Sequence, residues 1–213
     1  MGNIIKKITF VIRQPGTANA FIPLIKYFQN ENWETLALTY ENSHSFLLDR
    51  GIDSTKVDSF QEGIPYLTKS TVLITGTSNV VADDNKYWNW ANQNNVTAIA
   101  FVDSWVNYWQ RFTLEKKFDS LPTYIAVVDA QMKEKMLEVG APSKKVVVSG
   151  SPAFDNLIKY RITRKPKQGN PQILIITDPY TEINGVNTKT KIGFTEYEVL
   201  DFIFKTLTTI PSN

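Results

Sequence analysis

The densest set of chemically capable side chains follows one apolar run. Residues 97–102, TAIAFV, end at Asp103, and Ser104, Trp105, Asn107, Tyr108, Trp109 and Arg111 follow within eight positions. A carboxylate at the end of a buried strand can take a proton from a hydroxyl. Amide, phenol and guanidinium groups satisfy hydroxyls by hydrogen bonding, and an indole offers a flat apolar face. Together these types suit a sugar: Asp103 as base, with Trp105, Asn107, Tyr108 and Arg111 around the ring. The same residues would also serve as an aromatic satellite cluster with Arg111 paired to Asp103 for structural reasons.

Three further loops stand at the ends of apolar runs. Gln14 to Asn19 holds Gly16 and Asn19 and could present backbone amides to an anion or a hydroxyl. Gly16 stands alone, so this is not the spaced glycine pattern of a dinucleotide site. Gly76-Thr77-Ser78 offers hydroxyls suited to a phosphate or a sugar, or alternatively caps a helix. Asp129 reads as a helix cap. The junction Gly150-Ser151-Pro152 reads as a tight turn with Ser151 as N-cap and Pro152 as first helical residue. Ser151 also joins the candidate binding residues. His44, in ENSHSFLLDR, reads as a solvated helix residue, with a catalytic base as the minor alternative. Trp88 and Trp90 suit a core, a sugar platform or a partner surface equally.

The elements that must position these loops are legible as a pattern. Apolar β-rich runs at 7–13, 35–40, 72–75, 97–102, 124–128 and 146–149, with a weak one at 56–60, alternate with helical spacings at 17–30, 84–94 and 130–139. Most runs are uniformly apolar, the mark of a parallel sheet covered on both faces. The expected fold is α/β: a doubly wound, mainly parallel Rossmann-like sheet with a short C-terminal βα extension. The boundaries read as a domain over 1–162, a basic Pro/Gly-bearing linker over 163–172, and the start or remnant of a second Rossmann-like domain over 173–213. That remnant should open with a strand at Ile173 to Asp178 and continue with a helix from Tyr197 to Leu207.

Composition narrows the function classes. A net charge of +2 in 213 residues gives no electrostatic case for nucleic acid. No cysteine and a single histidine argue against a thiolate zinc site, a disulfide scaffold and a Ser-His triad. No run approaches the roughly 20 apolar residues of a membrane span, so a cytoplasmic protein is expected. Arg161, Arg164, Lys165 and Lys167 in the linker offer a peripheral contact with anionic lipid, or simply a solvated connector.

The segment Tyr124 to Ile158, YIAVVDAQMKEKMLEVGAPSKKVVVSGSPAFDNLI, resembles the end of the N-terminal domain in two-domain sugar-nucleotide proteins of the GT-B class. These include glycosyltransferases and UDP-N-acetylglucosamine 2-epimerases. The opening RQPGTANAFIPLIKYF is similar to their first loop and Pro-bearing first helix. The tract 101-FVDSWVNYWQRF-112 is similar to a passage of bacterial polysaccharide-biosynthesis members. The resemblance covers about two thirds of the chain in pattern. It implies a glycosyltransferase-like protein of surface-polysaccharide biosynthesis, with a nucleotide-sugar as donor substrate, a glycan as acceptor and no separate cofactor. In such proteins the second domain holds most of the donor, so this chain would be the acceptor-side half. The alternative is a non-catalytic or incomplete sugar-binding domain that needs a partner or a further C-terminal domain.

Overall fold

The structure is a computed structural model and describes residues 6–78, 83–113, 118, 120–155, 157, 173–185 and 188–209. It divides into two compact units, Met1–Arg164 and Lys165–Asn213. The expected linker over 163–172 lies outside the described residues.

The first unit is a seven-stranded sheet. Its strands are β1 (Lys7–Ile12), β2 (Glu34–Thr39), β3 (Thr55–Lys56), β4 (Ser70–Thr75), β5 (Thr97–Val102), β6 (Tyr124–Val127) and β7 (Val146–Val148). They lie in the order β3-β2-β1-β4-β5-β6-β7, and every pair is parallel. The expected strand at 56–60 shrinks to two residues. The chain leaves it because Ser59 caps the short helix Phe60–Gly63, its hydroxyl accepting from the Glu62 amide.

Alternation along each strand feeds two apolar layers. Ile8, Phe10 and Ile12 of β1 meet α1 (Pro15–Asn30) through Ala18, Phe21 and Ile25. Phe21 packs its ring 5.6 Å from Phe10 and 6.1 Å from Phe101. On the other face Val11, Leu73, Ala98 and Ile125 meet α4 (Asp84–Gln93) and α5 (Ala130–Glu138) through Tyr87, Trp88, Met132 and Met136. Burying one such side chain contributes roughly 1.5–3 kcal/mol. Trp88 is therefore core, stacked on Phe112 at 5.4 Å, with its indole N–H donating to Thr75 Oγ1 at 2.9 Å. On the α1 side lies α2 (Ser43–Leu48), which buries Leu47 in that layer and where His44 is half-buried. Its Nδ1 lies 2.8 Å from Ser54 Oγ, so His44 is not the solvated residue its surroundings in the sequence suggest.

Beyond β7, Gly150 takes φ +77°, a conformation that favours glycine. The chain then forms a 3₁₀ turn at Pro152–Phe154 that packs on α1, with Ala153 against the α1 layer. Ser151 occupies the N-cap position but makes no side-chain capping bond, so the hydroxyl cap expected there is absent.

In the second unit the helix Glu196–Leu207 forms, opened by a complete capping box between Thr195 and Glu198. Two short helices, Tyr180–Asn184 and Thr188–Ile192, precede it. The expected strand at Ile173 to Asp178 does not form, and Ile173, Leu174 and Ile176 are largely exposed. A strand exists only through ladder hydrogen bonds to a partner strand, and among the described residues this run pairs with no strand.

Candidate functional site

Strand order reverses direction between β1 and β4. In an open parallel sheet the crevice beyond the carboxyl ends at that point is where ligands bind. The loops after β1, β4 and β5 meet there. Gly76 sits against α1 so closely that a Cβ at its position would lie 2.4 Å from Thr17 Cγ2. Gly16 stands at the start of α1, facing Asp103. A Cβ there would lie 3.8 Å from Asp103 Oδ2.

Asp103 directly follows β5, with its side chain about a quarter exposed (26%). Its Oδ1 accepts from Arg111 Nη1 at 3.2 Å. Arg111 is wholly enclosed. Nη1 also donates to Thr77 O at 3.1 Å and Thr77 Oγ1 at 2.9 Å, Nη2 to Ser104 Oγ, and Nε to Val106 O at 3.1 Å. Burial pulls the Arg111 pKa down and the Asp103 charge opposes it. The Thr77 hydroxyl donates in turn to Phe101 O at 3.1 Å. Arg111 and Thr77 thus tie the β4 and β5 loops together from inside, with their polar atoms turned to protein. Their residue types suggest ligand contacts. Their geometry instead makes them the frame that aims Asp103.

The other candidates separate. Ser78 is partly exposed and donates to Asp84 Oδ2 at 3.3 Å. Asn107 is exposed with φ 57°, a left-handed turn that asparagine tolerates, and its carbonyl accepts from the Arg111 amide at 3.3 Å. Trp105 is 42% exposed, and its indole N–H donates to Asp129 Oδ2 at 2.8 Å. Tyr108 lies partly buried nearby. Burial raises its pKa, and the Asp129 charge adds to the rise. Asn19 is exposed on α1. Ser151, three residues beyond the edge strand β7, opens the turn that packs on α1.

Sequence reading missed a second polar group at the switch point. Arg13, directly after β1, donates through Nε to Asp84 Oδ1 at 3.1 Å and lies 3.9 Å over the Tyr40 ring. Asp84 is 3% exposed, and burial lifts its pKa against the lowering pull of Arg13 and Ser78. A narrow cleft runs between Arg13, Gln14, Thr17, Gly76, Ser78 and Asp84. The available signal was a charged residue directly ending an apolar run, the same signal that selected Asp103.

No family model and no curated protein sequence matches the chain. Solved structures do resemble it. The UDP-GlcNAc 2-epimerase from Neisseria meningitidis, bound to UDP-GlcNAc, is 15% identical with a TM-score of 0.52, the match covering 74% of this chain and 51% of that one. S. aureus MnaA with UDP is 17% identical at 0.52, over 70% and 46%. Anabaena HepE with UDP and glucose is 10% identical at 0.52, over 68% and 44%. The chain spans about half the length of these structures. The likeness is one of fold: this chain has a Rossmann-like parallel sheet of the kind these structures contain.

Proposed function

We propose that the crevice at the carboxyl edge of the sheet takes a glycan acceptor, and that the protein transfers a sugar to it from a nucleotide-sugar in surface-polysaccharide biosynthesis. The observation that carries this reading is the division of labour on Asp103. One carboxylate oxygen is fixed by buried Arg111, and the other faces Gly16 across the strand switch. An acceptor hydroxyl seated there gives its proton to Oδ2 as its oxygen bonds to the anomeric carbon. The bond from that carbon to the phosphate oxygen breaks, and the nucleoside diphosphate leaves. The transition state is oxocarbenium-like. UDP-GlcNAc in one similar structure, and UDP with glucose in another, support this donor class. This unit supplies the acceptor side.

The second reading is a sugar-binding unit without chemistry of its own. It is favoured by the commitment of one Asp103 oxygen to Arg111, which leaves the other as a simple acceptor for a sugar hydroxyl. Asp103→Asn in the complete protein separates the two. Transfer predicts turnover slowed by about a hundredfold or more, the usual worth of general-base catalysis, with circular dichroism unchanged. Binding alone predicts a raised KM with turnover unaltered. Calorimetric titration of the 213-residue chain with UDP-, CDP- and GDP-sugars tests the acceptor-side assignment. Micromolar affinity for any of them would overturn it.

A further inference from the structure

Asp129 does two jobs with its two oxygens. Oδ1 accepts the Met132 amide at 2.7 Å and caps α5. Oδ2 accepts the Trp105 indole N–H at 2.8 Å. The cap alone is an ordinary helix start. The bond to Trp105 is different, because its donor is not buried. A 42% exposed indole can satisfy its N–H with water, so folding does not require this partner.

What the bond does is fix a ring. Trp105 stands on the loop after β5, while Asp129 follows β6, the neighbour of β5 in the sheet, as the N-cap of α5. The carboxylate is anchored at the first turn of α5, and its extended backbone, φ −147° and ψ 177°, sets its direction. The indole is therefore held to a rigid element while the residue stays 42% exposed. Two residues on, Asn107 turns the loop back in left-handed conformation, so Arg111 can close it from below. The result is a preset aromatic side chain on the same loop as Asp103, turned toward the β6 side of the sheet.

We propose that Asp129 is a positioning residue that locks Trp105 as a stacking platform for a pyranose ring of the acceptor, of the equatorially substituted kind that presents C–H groups on one face. This rests on the reading of the crevice as a glycan site. A ring fixed beforehand loses no side-chain freedom on binding, whereas a mobile one must be ordered at a cost. The locked ring thus binds the sugar about threefold to tenfold more tightly than a free one.

Asp129→Asn tests this while keeping the cap, since asparagine caps a helix as well as aspartate. With its carbonyl oxygen on the Met132 amide it turns an NH2 donor, not an acceptor, toward the indole N–H. Cellotetraose and chitotetraose are the probes, titrated by calorimetry, with ¹⁵N indole spectra recorded in parallel. The chain has five tryptophans, and Trp105→Phe identifies the Trp105 signal by its loss. The expected result is binding by the native chain, a shifted Trp105 N–H signal in Asp129→Asn, and an affinity loss of about threefold to tenfold at a nearly unchanged melting temperature. In a Trp105→Phe background, Asp129→Asn should cost no further affinity. If Trp105→Ala abolishes binding while Asp129→Asn leaves it intact, the lock is overturned and the platform stands. If the native chain binds neither probe, or Trp105→Ala binds as well as native, the platform itself falls. The Asp103 assignment is then judged by its own turnover test.

Discussion

Asp103 and Arg111 form an ion pair of unequal partners: at 3.2 Å, the guanidinium is completely enclosed and the carboxylate is about a quarter open to solvent. Arg111 thus belongs to the interior and Asp103 to the crevice. The pair transmits the position of one to the other.

Arg111→Lys should destabilise the protein strongly. A lysine keeps the charge but cannot reach Thr77, Ser104, Val106 and Asp103 with one planar fork. Several buried acceptors lose their donor, at about 1–3 kcal/mol for an unsatisfied group. The expected total is about 2–4 kcal/mol, read from the urea midpoint at constant m-value. A loss under about 0.5 kcal/mol, the range of an ordinary surface change, would show that the fork does not organise the loops.

Gly76→Ala should cost about 1–3 kcal/mol, the usual range for overpacking. The added Cβ would meet Thr17 Cγ2 at 2.4 Å and Oγ1 at 2.6 Å. Thr17→Ala removes both atoms. The double variant should therefore be less destabilised than the sum of the singles, a coupling expected only between touching residues. Additive thermal shifts would contradict the close approach of α1 to the β4 loop.

Asp84 gives a pH signature. Its folded pKa is raised above the ordinary aspartate value of 3.8 by burial, despite Arg13. The folded state therefore holds this proton more tightly than the unfolded chain. The associated stability is fully present below pH 3.8 and is lost as pH rises through the folded pKa. Across that window the native protein should lose up to about 1.4 kcal/mol per pH unit relative to Asp84→Asn. Paired urea titrations from pH 3.8 upward read the difference. A gap between the two proteins that stays constant or opens the other way would show that Arg13 outweighs burial.

Much of the scaffold was legible because its signals are local. Runs such as TAIAFV and the residues at Phe21 and Ile25 are apolar at strand or helix period whatever lies around them. The exception marks the limit of that signal. Ile173 to Asp178 carries the same apolar composition and forms no strand, because pairing is a property of two segments.

The sequence by itself determined the alternation of strands and helices, the apolar runs that a two-sided sheet requires, and the placing of Asp103 directly after one of them. Only the tertiary structure decided which neighbours those residues meet. Arg13 finds Asp84 across 71 positions, Arg111 finds Thr77 across 34, and Trp105 finds Asp129 across 24. The physical reason is the parallel crossover. Each strand ends at the same edge, so polar groups far apart along the chain are gathered there by sheet order, which no local periodicity encodes.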